Sequence, residues 1–392
     1  VALVGAGFIA DDHRQILAGM GDVKLVAVCD PDLPRARRLA EAAGDCAALA
    51  DVADLEGMDV DVAHVLVPPD LHVPVARRLL EAGIGAFLEK PAAPDAEAVR
   101  ELAELAARRN LPLGVNHNHA FHPAFTRLLD RVQAGAIGRV EHVRITFSVP
   151  LMQLDAEQYS HWMFRAPHHI VFEQAVHPLS QVHALIGPVV SCDTTVLGSR
   201  ELLPGQVFHD RWVAAARGER GTAEVHLAFG QGFTRSSLEV IGSDGCLEAD
   251  FTHDAVYGEV PSRWLDFWNT YLASSGRGRS LRRAALRGLL AYLTATLGLS
   301  PRRDAFFVGM RESIEAFHRA LRAGERPPVD AAQAAEVLDW CEVLAAGAPA
   351  TAPPAPAPLA TDAARPGEVV VLGGSGFIGQ RVVARLLDAE RP

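Results

Sequence analysis

The chain opens on a short apolar run, Val1-Ala2-Leu3-Val4, which breaks into Gly5-Ala6-Gly7-Phe8-Ile9-Ala10 and then into a helical segment reaching Leu17. That order constrains the fold more than any other feature. It predicts a buried strand, a tight turn and a helix whose N-terminus faces the turn. Glycines there let the backbone approach a pyrophosphate, and the first helical N–H groups point at it. The third small residue, Ala10, permits close packing of helix on strand. A second strand, Lys24 to Cys29, ends in Asp30, where a carboxylate would hold a ribose 2′-hydroxyl. Gly5, Gly7, Phe8, Ile9, Ala10 and Asp30 are therefore candidate dinucleotide-binding residues. The charge of Asp30 favours NAD, while Arg35, Arg37 and Arg38 nearby keep NADP open.

The alternation continues. Helical patterns at Leu33 to Ala43, Val73 to Ala82 and Asp95 to Arg108 are interleaved with strands at Val62 to Val67, Ala86 to Lys90 and Leu111 to Asn116. Strands alternating with helices predict an α/β, doubly wound parallel sheet over residues 1–120. The Ala86 strand ends abruptly in Glu89-Lys90-Pro91. In an open α/β sheet that is the edge where ligands bind, although alone the triplet reads rather as a solvated strand end followed by a helix cap.

The chain has 392 residues, room for two domains and part of a third. Its net charge of −11 argues against sequence-independent nucleic-acid binding, which needs Lys and Arg to neutralise phosphates. No apolar run is long enough to span a bilayer, and no signal peptide is expected, in a chain that begins without Met. The five cysteines are scattered without a CxxC pair, which suits the reducing cytoplasm and argues against structural zinc.

Beyond a helix at Phe125 to Ala134, a strand of alternating character starts at Gly138. Further strands read at Val189 to Leu197, Arg211 to Ala216, Thr222 to Phe229, Ser237 to Ile241 and Cys246 to Phe251. Turn residues such as Ser243-Asp244-Gly245 join them, predicting a large, mostly antiparallel open sheet in an α+β domain over residues 121–346. Between these strands His169, Glu173 and His177 recur every four residues, placing them on one face of a predicted helix. That spacing is compatible with an ordinary polar face, a metal site or a catalytic set. With no HExxH and no fourth ligand, no metal is assigned.

Gly5-Ala6-Gly7, Cys29-Asp30-Pro31-Asp32, Pro68-Pro69-Asp70-Leu71-His72, Leu79 through Gly83 and above all Glu89-Lys90-Pro91 together resemble the Gfo/Idh/MocA family, nicotinamide-dependent dehydrogenases with an N-terminal Rossmann domain. The resemblance covers about residues 1 to 346. It implies that Lys90 faces the nicotinamide and the substrate hydroxyl, and that Glu89 and Pro91 line the cofactor pocket, with Pro68, Pro69, His72 and Asn116 beside them. His177 matches the family's catalytic histidine, with Glu173 where an Asp, and Ala175 where a Gly, is usual. Ala120 replaces an Arg that commonly precedes Phe121. The chemistry needs such a set, because hydride loss from a carbinol carbon requires a base for the hydroxyl proton and a cation for the developing alkoxide. The expected substrate is a sugar, cyclitol or nucleotide-linked sugar, and the expected assembly is a homo-oligomer formed through the antiparallel sheet. A reading of another class keeps the pocket as a catalytically weakened NAD(H)-binding module.

Helical patterns follow at Arg282 to Leu297, Phe306 to Ala323 and Ala331 to Leu344. Residues 347–366, rich in Ala and Pro, read as a stiff linker. Residues 367–392 then carry Gly373-Gly374-Ser375-Gly376-Phe377-Ile378-Gly379, which resembles the opening βα unit of an extended short-chain dehydrogenase/reductase, the epimerase-like class. The expectation is a dehydrogenase–epimerase fusion cut inside its second domain.

Overall fold

The computed structural model describes residues 1–299 and 304–349, together with residues 382, 383, 385 and 386. The predicted linker beyond residue 349 and the predicted second βα unit otherwise lie outside the described residues.

The first part is a six-stranded parallel sheet, ordered β3-β2-β1-β4-β5-β6. Its strands are β1 (Ala2–Val4), β2 (Ala27–Cys29), β3 (Ala47–Leu49), β4 (Val62–Val65), β5 (Gly85–Leu88) and β6 (Leu113–Val115). Helices α1 (Phe8–Ala18), α2 (Leu33–Ala43), α3 (His72–Glu81) and α4 (Ala96–Arg109) connect them. β1, β4 and β5 are fully buried, as a strand covered on both faces must be. Side-chain caps set two helix starts, Asp32 accepting from Arg35 N–H and Asp95 from Ala98 N–H. The strand expected from Lys24 begins only at Ala27, and the edge strand β3 carries no sequence signal. It has three residues, all half-exposed, so neither an apolar run nor an alternation marks it.

The second part is a seven-stranded sheet, ordered β13-β12-β11-β7-β10-β9-β8. It comprises β7 (Val140–Val149), β8 (Val189–Leu203), β9 (Gln206–Gly218), β10 (Gly221–Phe229), β11 (Arg235–Gly242), β12 (Gly245–Asp250) and β13 (Ala255–Glu259). Every pairing is antiparallel except β7 with β10. One face packs on α5 (Pro123–Gln133) and α7 (Val176–Ile186), burying Phe208, Trp212 and Phe229. The opposite face is polar, with Arg144 between Glu224 and Glu239 at 2.9 and 2.8 Å. A single turn, α6 (Met152–Asp155), follows β7. Helix α8 (Asp266–Thr296) starts well before the expected Arg282, because only Ala284 is buried along it and its apolar residues mark no single face.

The last two helices return to the parallel sheet. α9 (Ala305–Ala323) lies on the α1 side, where Phe317 meets Phe87 at 4.6 Å between ring centres. A Cβ on Gly114 would come within 2.6 Å of the Phe317 ring, so the glycine makes room for this contact. α10 (Ala331–Ala346) packs with α3 and α4 on the other side. Fully burying one such aromatic is worth roughly 2–3 kcal/mol, which ties the two parts of the chain together through their cores.

Candidate active site

The carboxyl ends of β1 and β4 meet where the strand order reverses, and the turn after β1 is built for close approach. Gly5 sits at φ +103°, and a Cβ there would come within 2.7 Å of the Leu66 backbone, so no other residue fits. Gly7 caps α1 without a side chain, and a Cβ on it would meet nothing within 4 Å, so the helix N-terminus opens outward. Asp30 stands beside the turn, its Oδ2 accepting from Ala6 N–H at 2.7 Å and its Oδ1 from Asp32 N–H at 2.8 Å. Each carboxylate oxygen keeps acceptor capacity beyond these bonds. Ala10 is buried under the turn, while Phe8 is 89% exposed.

Alongside lies a cavity of about 830 Å³ whose wall includes Ile9, Pro68, Lys90, Asn118, Glu173 and His177. Phe8, Pro69, His72 and Glu89 also line it. Lys90 lies two residues past the end of β5, and its peptide bond to Pro91 is cis. Its Nζ donates to Glu173 Oε1 at 2.8 Å and to the Glu173 carbonyl at 3.0 Å. Both side chains are about 15% exposed, so the pair is largely withdrawn from water yet still meets the cavity. His177 lies on α7 and stacks on His119 with ring centres 4.0 Å apart. Burial pushes the His177 pKa well down, and the neighbouring His119 and Lys90 push the same way, so the ring is neutral at physiological pH. His119 is likewise lowered, to about 3, chiefly by burial. His177 Nδ1 and Asn118 Oδ1 are buried polar atoms with no partner among the described residues. Groups of that kind in a cavity wall are what a polar ligand satisfies.

The structure corrects the helical face predicted from His169, Glu173 and His177. Residues Val171–Ala175 form a π-helical turn, which widens the period and breaks the four-residue register. His169 turns away, its Nδ1 3.1 Å from the Trp162 carbonyl, so only Glu173 and His177 reach the cavity. Two further expected residues spend their polar side-chain atoms on the protein itself. Asn116 is absent from the lining and donates to Glu89 Oε1 at 2.6 Å. His72 directs both ring nitrogens at backbone, the carbonyls of Pro91 and Val67, each at 2.8 Å. His119, Asn118, Trp162 and Phe147 line the cavity without having been singled out. The histidine-dense run from Asn116 to His122 was the available signal for the first two. Among the described residues no cluster of three or more His, Cys, Asp or Glu is arranged to hold a metal, and all five cysteines are free.

A glycine turn at the switch point of a parallel sheet, joined to an open sheet across a cavity holding a lysine and a neutral histidine, defines a dinucleotide-dependent oxidoreductase. Comparison with known proteins agrees. The NAD-binding Rossmann-fold profile of the oxidoreductase family matches residues 1–117, and the GFO/IDH/MocA C-terminal domain profile matches residues 125–248. The chain belongs to the Gfo/Idh/MocA family of NAD(P)-dependent oxidoreductases. It is 30% identical over 237 residues to dTDP-3,4-didehydro-2,6-dideoxy-alpha-D-glucose 3-reductase of Streptomyces violaceoruber, covering 60% of this chain and 67% of that protein. It is 34% identical over 148 residues to inositol 2-dehydrogenase of Rhizobium meliloti, covering 38% of this chain and 44% of that one. Among solved structures, the WlbA dehydrogenase from Bordetella pertussis in complex with NADH and UDP-GlcNAcA superposes with a TM-score of 0.67 at 19% identity, over 88% of this chain and 94% of that one. The residues on the cavity's dinucleotide side fit NAD, because the turn at Gly5 and Gly7 is open and Asp30 stands beside it.

Proposed function

We propose that the protein interconverts a secondary hydroxyl and a ketone on a sugar, cyclitol or nucleotide-linked sugar. Gly5, Gly7, Phe8, Ile9 and Asp30 would hold the dinucleotide, with Pro68, Pro69 and Glu89 along its nicotinamide end. Bound NAD supplies the hydride acceptor, and everything else falls to the chain's own residues. His177, uncharged and lining the cavity, is suited to take the hydroxyl proton. Lys90 stabilises the negative charge that develops on the oxygen. Glu173 fixes the direction of the ammonium through its 2.8 Å ion pair. The observation that carries this reading is that Lys90 and a neutral His177 share the wall of one cavity at the carboxyl end of the parallel sheet. Relatives named for inositol and for a dTDP-linked deoxysugar support the substrate class.

The experiment is a screen for NADH formation from myo-inositol, methyl glucoside, UDP-N-acetylglucosamine and dTDP-glucose. Turnover of at least one is expected, and none from any of the four would count against the reading. The glycine spacing of the sequence at 373–379 supports a second dinucleotide-binding unit fused through the Ala/Pro-rich segment. Two NAD bound per chain in protein from its natural source is the sign of that fusion, and one would argue against it.

A further inference from the structure

Helix α8 carries five arginines between Phe267 and Thr296 and no acidic residue. Arg279, Arg283 and Arg287 recur every four residues, so they share one face. Opposite that face α5 presents Arg127 and Arg131, again about one turn apart. The two rows wall an open cleft of about 560 Å³, with Ser280 and Val256 between them. No acidic residue lines it. Asp254, at its edge, accepts from Arg127 at 2.7 Å and stands 3.7 Å from Arg287. Arg131, Arg279 and Arg283 have no ion pair or side-chain hydrogen bond among the described residues. Arg277, outside the cleft, differs: it meets Glu248 at 3.8 Å and lies 4.4 Å over the Tyr257 ring.

Like charges at four-residue spacing destabilise a helix, and an exposed basic face ordinarily interleaves carboxylates that offset them. Here one carboxylate serves five guanidinium groups, in a chain whose net charge is −11. The imbalance falls where two helices face each other, which is the arrangement that an anion between them would stabilise.

We propose that this cleft binds the diphosphate of a nucleotide, at a site separate from the glycine turn after β1. A guanidinium is a planar fork of N–H donors that matches phosphoryl oxygens. A diphosphate brings one phosphoryl group to each row and more negative charge than a lone phosphate. Through Arg287 the cleft continues into a groove of about 920 Å³, where Pro123, Leu290 and Tyr292 give apolar surface for a nucleoside. Phe251, Thr252 and Ala305 line both that groove and the active cavity. A free nucleoside diphosphate and a nucleotide-linked sugar carry the same diphosphate. Only the second source rests on the dehydrogenase reading above.

The test is calorimetric titration of inorganic pyrophosphate and of UDP into the full-length protein saturated with NAD, at low salt. Each should bind once per chain, and raising the salt should weaken both. Arg131→Ala and Arg283→Ala remove guanidinium groups that hold no partner, so the fold should be kept. Each should weaken pyrophosphate and UDP on the order of tenfold or more, with NAD affinity and Tm unchanged. Gly276 lines the cleft, and a Cβ on it would meet nothing within 4 Å, so Gly276→Glu brings a carboxylate into the cleft without a clash. It should abolish binding and leave Tm no lower. Displacement of pyrophosphate by UDP but not by UDP-N-acetylglucosamine would assign the site to a free nucleotide, and displacement by both to the linked sugar as well. No binding of pyrophosphate or UDP overturns the proposal. So does inorganic phosphate binding as tightly as pyrophosphate, or binding that all three substitutions leave intact. None of these outcomes depends on turnover, so failure of the dehydrogenase reading would show separately, as no NADH from any alcohol.

Discussion

Lys90 is held before any substrate arrives, and that shapes what its loss should do. Its ammonium spends two hydrogen bonds on Glu173, so Lys90→Ala leaves a carboxylate only 15% exposed without its cation. Lys90→Ala should therefore lower stability by about 1–3 kcal/mol, and Lys90→Ala/Glu173→Gln should recover part of it. Urea unfolding of the three variants measures this, and a double variant no better than the single would mean the pair is not coupled. The two glycines of the turn should separate fold from binding. Gly5→Ala meets the Leu66 backbone and should destabilise by about 2 kcal/mol or more, whereas Gly7→Ala, facing open space, should keep its Tm and weaken NAD. Calorimetry should also find NAD(H) bound more tightly than NADP(H), because the Asp30 carboxyl stands beside the turn where a 2′-phosphate would have to sit. Equal affinity would mean that Asp30 does not meet the ribose. The dinucleotide-side residues were legible because each is a residue type that only one backbone geometry or charge requirement explains. His119 was not, since its role arises from a stacking contact with His177 on α7, about sixty residues away in sequence.

At the scale of elements, sequence patterning succeeds where an element is periodic and buried and fails where it is short or irregular. The strands β1, β4, β5 and β6 and the helices α2 to α4 lie close to where apolar runs and caps put them. β3 is too short to carry a pattern, and β13 follows turns that mask it. The π-helical turn is the instructive failure. A four-residue recurrence assumes an α-helix, and nothing in His169 to His177 signals the wider turn that sends His169 to the Trp162 carbonyl. The segment carrying His117, His119 and His122 makes a pH prediction of its own. Burial lowers these rings to about 3, 3 and 4 in the folded chain, against roughly 6.5 when unfolded. The unfolded state therefore binds more protons below about pH 6.5. The stabilisation is complete above that pH and is lost as pH falls toward 4 and then 3, each ring contributing about 1.4 kcal/mol per unit. Thermal unfolding between pH 7 and 5 should show Tm dropping steeply, and a flat profile would mean these rings are not buried.

For the whole molecule, the outward face of the antiparallel sheet is the surface we expect a second copy to cover. Arg144, between Glu224 and Glu239, sits near its middle strands. Arg144→Glu places three carboxylates together and should convert an oligomer to monomer in sedimentation velocity, with little change in Tm since exposed pairs are worth about 0–1 kcal/mol. Wild type sedimenting as a monomer would remove this face from consideration. The account as a whole turns on the lysine at the end of β5. Turnover of the best alcohol and NAD affinity, measured on the same preparations of wild type and Lys90→Ala, test it most directly. The prediction is a loss of about 10²–10³ in kcat with NAD affinity nearly unchanged, because the ammonium acts on the substrate oxygen and not on the dinucleotide. Full activity in Lys90→Ala, or loss of NAD binding outright, would contradict it.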